Sequence, residues 1–326
     1  MSRYGLRSRL TGAANANTIN YWFGGGFSAV PVLAGYFAGG QTPYVSRIDK
    51  ITFPGDTKST LSATLTSAQQ FGAGMANSGV AGYFSGGEGP SEGTYLSRID
   101  KITFPADTKT TLSATLTSVN RATSAMANSG TAGYICGGDD LSNSLSRIDK
   151  ITFAADTKST LSATLSSANR ELTAMANSGT AGYVLGGYDG GFVSRIDKIT
   201  FSGDTKSTLS ATLTTGTNSN AATANSGTAG YSAGGSDGAS LSRIDKITFP
   251  ADTKTTLSAT LTQATRYAAG MANSGTAGYI GGGIISGGYT AGIDKIAFPG
   301  DTKTTLSATL TSGVGVLQAM ADSGIL

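Results

Sequence analysis

The chain has 326 residues, of which 47 are glycine and only 13% are charged, about half the usual share. It contains no histidine, which excludes His-based triads, proton shuttles and His metal sites. Its one cysteine, Cys136, excludes internal disulfides and Cys-cluster metal sites. The net charge of +3 is spread evenly, and no apolar run approaches the roughly 18 residues that span a bilayer. We therefore expect no cofactor, no nucleic-acid partner and no membrane insertion.

The first 33 residues differ in kind from the rest. Residues 1–20 are polar, carry three arginines and show no hydrophobic periodicity or signal-peptide core. We expect residues 1–33 to form an arm that docks into a larger assembly, a frayed tail being the alternative. The run Tyr21–Gly26 resembles an isolated strand and has no assigned place. The candidate attachment residues of the arm are Arg3, Arg7, Arg9 and Trp22.

Six units of about 49 residues account for nearly everything after residue 34. The units share Gly-Tyr-x-x-Gly-Gly, a variable stretch, Ser-Arg-Ile-Asp-Lys-Ile-Thr-Phe, Asp-Thr-Lys and Thr-Leu-Ser-Ala-Thr-Leu, then a second variable stretch and Asn-Ser-Gly. The sixth unit departs from this pattern, with Ala-Gly-Ile-Asp-Lys-Ile-Ala-Phe and Asp-Ser-Gly at the corresponding places. The Ile-Asp-Lys aspartates follow one another at intervals of 51, 49, 48, 48 and 49 residues. They are Asp49, Asp100, Asp149, Asp197, Asp245 and Asp294.

Four short strands fit in each unit. In the third unit the first strand ends at Asn128, and the others are predicted over Gly133–Cys136, Ser146–Phe153 and Thr160–Leu165. Turn residues separate them: Asn-Ser-Gly, Gly-Gly and Asp-Thr-Lys. Four antiparallel strands per unit of this length indicate a blade of a β-propeller. We predict an all-β fold with six four-stranded blades over residues 34–326, a β-solenoid being the alternative.

Ring closure is also visible in the order of the strands. The first unit begins at a second strand, Gly35–Gly40, and the chain ends after a first strand, Met320–Gly324. The C-terminal strand is therefore predicted to complete the N-terminal blade and remove an exposed edge. Phe27–Leu33 competes for the same place, although Pro31 makes it a poor inner strand.

Variation between units is gathered in two loops. The loops after the second and fourth strands, which share one face of an up-and-down blade, differ in nearly every unit, whereas Asn-Ser-Gly and Asp-Thr-Lys barely change. Free drift of surface loops is the alternative, but it would also vary the turns of the other face. We therefore expect a ligand-binding face on a repeated scaffold. Its candidate residues are Tyr44, Glu88, Glu92, Asp139, Asp140, Asn143, Tyr188, Asp189, Asp237, Arg121, Arg170, Arg266 and Tyr267.

Four groups of residues favour structural roles. Gly230–Gly234 matches the G-x-S-x-G nucleophile motif, but no histidine exists to act as base, so Ser232 is expected only to fill a strand. The loop aspartates lack the spacing of a calcium loop, so ordinary loop roles are favoured over calcium binding. The six Arg, Asp and Lys sets around Ile-Asp-Lys are expected to pair neighbouring blades. Cys136 and the repeated methionines are expected in the core.

The diglycine-ended strand in a repeat near fifty residues resembles a degenerate kelch repeat, without the usual tryptophan. The units together, with Gly-Tyr-x-x-Gly-Gly and Ile-Asp-Lys-Ile, resemble kelch-like repeat proteins of tailed bacteriophages. This resemblance implies a non-enzymatic virion protein, such as a tail fibre or adhesin component, present in several copies.

On that resemblance, the arm would contact other virion proteins and the variable face would contact a host-surface glycan or protein. Two alternatives stay open. One is a capsid decoration or tail accessory protein whose loops contact sister subunits. The other is a propeller enzyme such as a copper oxidase, which the absence of histidine ligands disfavours.

Overall fold

The structure is a computed structural model that describes residues 33–41, 43–91 and 93–322. These residues form an all-β, six-bladed β-propeller, and each blade is a four-stranded antiparallel sheet. Within the described part of the chain, no helix is long and apolar enough to cross a membrane. The predicted fold class is confirmed.

The strands follow one order in every blade, from the innermost first strand to the outermost fourth strand. The chain starts with the second to fourth strands of blade 1, which are β1 (Ala34–Ala38), β2 (Ile48–Thr52) and β3 (Thr57–Thr60). Blade 2 is β4 (Ala73–Asn77), β5 (Ala81–Ser85), β6 (Ile99–Thr103) and β7 (Thr108–Thr111). Blade 3 is β8 (Ser124–Asn128), β9 (Ala132–Cys136), β10 (Ile148–Thr152) and β11 (Thr157–Thr160).

The second half of the ring repeats this arrangement with one addition in blade 6. Blade 4 is β12 (Thr173–Asn177), β13 (Ala181–Leu185), β14 (Ile196–Thr200) and β15 (Thr205–Thr208). Blade 5 is β16 (Ala221–Asn225), β17 (Ala229–Ala233), β18 (Ile244–Thr248) and β19 (Thr253–Thr256). Blade 6 is β20 (Ala269–Asn273), β21 (Ala277–Gly281), β24 (Ile293–Ala297) and β25 (Thr302–Thr305), with a loop hairpin of β22 (Ile284–Ile285) and β23 (Gly288–Tyr289).

The last strand, β26 (Gln318–Ala321), closes the ring. It pairs antiparallel with β1, so that Met320 lies opposite Tyr36 and the sheet order of blade 1 is β26, β1, β2, β3. This confirms the predicted closure. The competing segment Phe27–Leu33 lies outside the described residues except for Leu33, and β26 occupies the first-strand position of blade 1.

The predicted fourth strand was wrong. The outermost strand of blade 3 is Thr157–Thr160, most of which the sequence predicts as a turn, and residues 161–165 of the predicted strand are not in a strand. Leu161 and Leu165 do alternate with polar residues, but their backbone crosses the end of the blade instead of forming a ladder. The Leu165 N–H, for example, donates to the Ser146 carbonyl oxygen at 2.8 Å. The turn before the true strand is Phe153–Asp156.

Each hydrophobic cluster lies between two neighbouring blades. Between blades 3 and 4, Met126 and Tyr134 pack with Val184, Ile199 and Phe201. The four methionines predicted in the core are fully buried, which confirms that prediction; they are Met75, Met126, Met175 and Met271. A side chain at Gly182 would place its Cβ 2.0 Å from the Met126 Sδ, so the glycine of Gly-Tyr makes room for the methionine of the preceding blade. Cys136 is also buried, and burial raises the pKa of its thiol.

Candidate binding face

The antiparallel strands define two faces of the ring. The constant face carries the turns between first and second strands and between third and fourth strands. The variable face carries the loops between second and third strands and the connections from each fourth strand to the next blade. The variable loops predicted to share one face therefore do share it.

Every constant-face aspartate turn binds the preceding blade. Between blades 3 and 4, the Tyr134 hydroxyl donates to Asp204 Oδ1 at 2.8 Å, and the Lys150 ammonium donates to Asp204 Oδ2 at 2.7 Å. Phe201 of the same turn stacks on the Tyr134 ring, with the centroids 5.0 Å apart. Asp204 itself has φ 50°, a left-handed conformation that aspartate tolerates better than most residues. The same contacts close the ring through Asp56, Asp107, Asp156, Asp252 and Asp301.

The tyrosines of these junctions resist ionisation. Burial, then the hydrogen bond to the turn aspartate and its negative charge, raise the pKa of each far above its ordinary value. They are Tyr36, Tyr83, Tyr134, Tyr183, Tyr231 and Tyr279.

The Asn-Ser-Gly turns bind neighbouring blades as well. The Gly179 N–H donates to Asn128 Oδ1 at 2.9 Å, and the Ser129 N–H donates to the Ser178 hydroxyl at 3.0 Å. Equivalent bonds join the turns of blades 2 to 6. The turn sequences of the constant face are repeated because these turns hold the blades together. They are therefore no reference for how freely an exposed loop can vary, and it was wrong to use them as evidence against free drift of the variable loops.

The Ile-Asp-Lys aspartates form a second set of links, as predicted for the Arg, Asp and Lys sets. Asp149 of blade 3 accepts hydrogen bonds from the Thr117 N–H at 3.0 Å and the Thr117 hydroxyl at 2.7 Å, both in the connection from blade 2. Arg147 Nε lies 3.5 Å from the same carboxylate. Burial alone would raise the pKa of Asp149, but these hydrogen bonds and the Arg147 charge outweigh it and lower the pKa. Equivalent hydrogen bonds lower the pKa values of four more of these aspartates, helped by the charge of an arginine at Asp100 and of a lysine at Asp49, Asp197 and Asp245.

A closed ring of backbone hydrogen bonds surrounds the channel mouth on the variable face. One residue of each blade, just before the first strand, donates its N–H to the carbonyl oxygen of its counterpart in the preceding blade, at 2.8–3.2 Å. All six are non-glycine residues with φ between 51° and 61°. The mouth is thus built from strained backbone held in place by the whole ring. These mouth residues are Phe71, Ala122, Glu171, Ser219, Tyr267 and Val316.

Five candidate residues meet beside this mouth across blades 2 to 4. The Arg121 guanidinium donates to Glu88 Oε2 at 2.7 Å and its Nε lies 3.9 Å from Asp139. Arg170 Nη1 lies 3.6 Å from Asp139 Oδ2, and its guanidinium lies 5.3 Å from the Tyr188 ring centroid. Glu88 and Asp139 are buried, whereas the Arg121 and Arg170 side chains stay 30% and 40% exposed. We name this group the mouth cluster.

Four further residues, which are not among the candidates predicted from the sequence, belong to this region. The Tyr95 ring centroid lies 4.5 Å from the Arg121 guanidinium, and Phe71 also lies against Arg121. Phe192 meets Tyr188 edge to face at 5.9 Å. Glu171 accepts hydrogen bonds from Asn218, Ser219 and Tyr267. Phe71 and Glu171 share the alignment position of the selected Tyr267, which is the signal that could have found them.

Tyr267 lies on the opposite side of the mouth from the mouth cluster. Its hydroxyl donates to Glu171 Oε2 at 2.9 Å, and its ring meets Phe71 edge to face at 5.6 Å. Burial raises the pKa of Tyr267, a hydrogen bond with Ser219 opposes this rise, and the charge of Glu171 adds to it. The mouth leads to a cavity of about 120 Å³ lined by the six first strands.

The other candidates are scattered over the variable face. Asp140 accepts hydrogen bonds from its own loop, at the N–H groups of Ser142 and Asn143, and exposed Asp237 accepts one from Ala239. Exposed Asp189 accepts a hydrogen bond from the Ser167 hydroxyl at 2.7 Å.

Two candidates have neighbours in an adjoining connection or loop. The half-buried Tyr44 hydroxyl accepts a hydrogen bond from Gln70 at 2.8 Å. The backbone of Arg266 bridges to Ile284 of its own blade. Glu92 and the arm residues Arg3, Arg7, Arg9 and Trp22 lie outside the described residues.

The loop aspartates do not converge on a metal site. In the described ranges, no three side chains of the types His, Cys, Asp and Glu come together in a way that could hold a metal ion. Asp139, the most buried of the loop aspartates, faces two arginines instead.

The sequence matches no protein-family model, and no curated protein matches it. The fold and the site therefore define the class of protein directly. It is a six-bladed β-propeller with a charged and aromatic mouth on the face of its variable loops.

Proposed function

We propose that the protein is a non-enzymatic attachment protein of a virion, whose variable face binds a host-surface glycan or protein. The observation that carries the proposal is the mouth cluster. It brings arginine, carboxylate and tyrosine side chains of three blades to one place beside the channel mouth.

The chemistry of the mouth cluster suits a polyhydroxylated ligand. Tyr188 offers a ring against which the apolar side of a sugar can stack. Arg121 and Arg170 keep part of their guanidinium groups exposed while Glu88 and Asp139 hold them in place. An arginine fixed in this way loses little side-chain entropy when it binds, which favours affinity.

The frame below the mouth cluster supports the same proposal. The backbone ring fixes the start of every first strand, so the loops are mounted on a rigid base. Small changes in loop residues would then alter specificity without moving the scaffold.

The virion setting rests on the resemblance of the units to kelch-like repeat proteins of tailed bacteriophages. In that setting residues 1–33 would attach the propeller to the particle, and many copies would act together. Weak sites presented in many copies give strong overall attachment, so a modest single-site affinity is sufficient.

A second function is a structural virion part whose variable loops contact other subunits. Two exposed apolar side chains favour it: Leu141 is 55% exposed and Phe192 is 42% exposed. Apolar side chains presented at loop tips suit a protein contact better than a contact with a charged polysaccharide.

The test is binding of labelled protein to intact candidate host cells, with and without removal of their surface polysaccharide. Binding that disappears after removal indicates a glycan ligand. Arg170→Ala, which releases Tyr188 and Asp139, should reduce this binding about tenfold or more. Val80→Ser, at a side chain 52% exposed on the constant face, is the matched control and should bind like the parent protein.

A different result would favour the second function. If no candidate host binds the protein, while cross-linking in assembled particles captures Leu141 or Phe192 loops against another subunit, the attachment proposal fails. Equal binding by the Arg170→Ala and Val80→Ser variants would show that the mouth cluster is not the site.

A further inference from the structure

Five of the six blades place an arginine directly before Ile-Asp. In blade 5 the Arg243 guanidinium bridges two groups: its Nε lies 3.5 Å from Asp245 Oδ2, and its Nη2 donates to the Thr215 hydroxyl at 2.8 Å. Thr215 belongs to the connection from blade 4, so the arginine fills the space between that connection and the third strand. The arginines of this position are Arg47, Arg98, Arg147, Arg195 and Arg243.

Blade 6 has no arginine at this position. Gly292 stands there, and Thr290 stands where the other blades have leucine or valine. A cavity of about 210 Å³ lies at this place, lined by Gln263, Thr290, Gly292 and Asp294 among others. We name this cavity the blade-6 notch. It opens beside the third strand on the variable face, because Gly292 ends the loop between the second and third strands.

The blade-6 notch keeps the carboxylate that the missing arginine would bind. Asp294 Oδ2 accepts a hydrogen bond from the Thr262 N–H at 2.8 Å, while Oδ1 accepts those of the Thr262 and Thr305 hydroxyls. Lys303 Nζ lies 3.3 Å from Oδ1, so the cation that the described residues place beside Asp294 is on the other carboxylate oxygen. The Asp294 side chain is 11% exposed, against 3% for Asp245.

Gln263 supplies a second acceptor. It stands where the other connections have the serine or threonine whose hydroxyl accepts from the arginine. A glutamine amide oxygen can accept the same N–H on a longer side chain. The notch therefore presents a carboxylate and an amide to a space that holds a guanidinium group in every other blade.

We propose that the blade-6 notch binds the guanidinium group of an arginine side chain supplied from outside the described propeller. The five occupied positions show the geometry of the bound group, with one N–H toward the aspartate Oδ2 and another toward the connection. A guanidinium is preferred to an ammonium because its planar fork reaches both acceptors at once. This inference is independent of the proposed attachment function, since it concerns a different part of the variable face.

The arginine has two possible sources, which share this chemistry. One is a residue of the arm, where Arg3, Arg7 and Arg9 occur. The other is an arginine of a separate protein chain. The experiment below has one comparison for each source.

The probe is methylguanidinium at millimolar concentration, with binding to the full chain followed by calorimetry and NMR. One equivalent should bind to a chain whose notch holds no arginine of the arm, about tenfold more tightly than methylammonium. Gly292→Arg fills the notch from within and should abolish binding, and its melting curve checks that it folds. Thr290→Leu, which narrows the notch as leucine does in three other blades, is a milder variant that should weaken binding.

A matched variant creates the site elsewhere. Arg243→Gly empties the corresponding space in blade 5 and should add one equivalent of bound methylguanidinium. Measurable binding that Gly292→Arg leaves unchanged would overturn the proposal, because the probe would then bind elsewhere.

The source is settled by replacing Arg3, Arg7 and Arg9 together with alanine. If methylguanidinium binds only this triple variant, the arm supplies the arginine that occupies the notch. If it binds the parent chain equally well, the notch is open to an arginine of another chain. If it binds neither protein, the proposal is wrong.

Discussion

On the constant face of the propeller, nearly every turn residue that repeats also bonds to a neighbouring blade. Asp204 holds Tyr134 and Lys150 of blade 3, and Asn128 accepts the N–H of Gly179. On the variable face, the loop tips chiefly bond within their own loops, as Asp140 and Asp237 do. Residues that form junctions between blades repeat from unit to unit, whereas residues that take no part in a junction vary.

The two faces teach that variation alone is a weak sign of binding. A loop that serves no junction is free to change whether or not it has a ligand. What distinguishes the mouth cluster is different: Arg121 pairs with Glu88 and Arg170 pairs with Asp139, and the aligned loop position holds no carboxylate in the other four blades. Because four of the six blades fold without such a charge pair, the two pairs call for an explanation beyond folding.

The largest expected effect comes from breaking the ring at its closure. Deleting Leu317–Leu326 removes β26, which exposes the β1 edge and one face of two inter-blade clusters. We expect a loss of at least about 4 kcal/mol in the free energy of unfolding and a less cooperative thermal transition.

The control for this deletion shortens a loop of the variable face. Replacing Ile284–Tyr289 with the blade 5 sequence Ser236–Ser240 should change the free energy of unfolding by less than about 1 kcal/mol. If the truncated chain melts at the temperature of the full chain, β26 does not close the ring.

The next largest effect is expected at a single junction of the constant face. Asp204→Ala removes the acceptor of Tyr134 and the partner of Lys150, and it leaves alanine in a left-handed conformation. Asp204 is partly exposed, so we expect a loss of about 2 kcal/mol, measured by urea denaturation. Asp204→Asn keeps an acceptor and tolerates the backbone, so it should cost less. Equal losses for the two variants would show that the hydrogen bond to Tyr134 is unimportant.

The two faces should also differ in their response to pH. The raised pKa values of the six junction tyrosines contribute stability that is complete below about pH 10, where unfolded tyrosine ionises, and is lost as the pH rises further. We therefore expect alkaline unfolding in which phenolate absorbance and loss of near-UV dichroism occur together. Gradual ionisation of these tyrosines before unfolding would contradict their buried, hydrogen-bonded state.

At acid pH the change in stability with pH has the opposite sign. The lowered pKa values of the five Ile-Asp-Lys aspartates contribute stability that is present above about pH 4 and is lost as the pH falls below it. Thr117→Val removes one hydroxyl donor to Asp149, so the acid transition of this variant should move to higher pH. Thr215→Val, at a hydroxyl that bonds to Arg243 rather than to the aspartate, is the control.

The smallest effect is expected at exposed residues of the variable loops. Asp237→Ala should change the free energy of unfolding by less than about 0.5 kcal/mol, because the side chain is exposed and bonds weakly to its own loop. Comparison with Asp204→Ala measures the difference between the two faces with the same change of residue. A loss comparable to that of Asp204→Ala would show that variable loops also support the fold.

The fold could be predicted from the sequence because the repeats and the order of the strands can be recognised without a structure. The interval between Ile-Asp-Lys aspartates predicted the length of a blade, and the position of Met320 after the last unit predicted the strand that closes the ring. The fourth strand could not be predicted in the same way. Thr157–Thr160 lacks alternating apolar residues, since it lies at the outer edge, whereas the neighbouring leucines alternate for a different reason, to cover the end of the blade.

The candidate site could be predicted from the sequence only in part. Sequence comparison of the units indicated the variable loops and selected Arg121, Asp139 and Arg170. It did not indicate that these three meet, because loops of different lengths have no shared register. The ring of backbone hydrogen bonds could not be predicted from the sequence. Phe71, Glu171 and Val316 share only a left-handed backbone conformation, which no pattern of side chains indicates.

The rim of the propeller has a consequence for contacts between molecules. The outermost strand of every blade reads Thr-Lys-Ser-Thr or Thr-Lys-Thr-Thr, so a lysine stands in the middle of each outer edge. Each of these lysines pairs with the Ile-Asp-Lys aspartate of its own blade and keeps about a fifth of its side chain exposed. A strand added from another chain would remove the remaining solvent from the charge, so lysine on an edge strand opposes such addition. We therefore expect closely packed copies to contact one another through the faces of the propeller. They should not join through their outer strands into a continuous sheet.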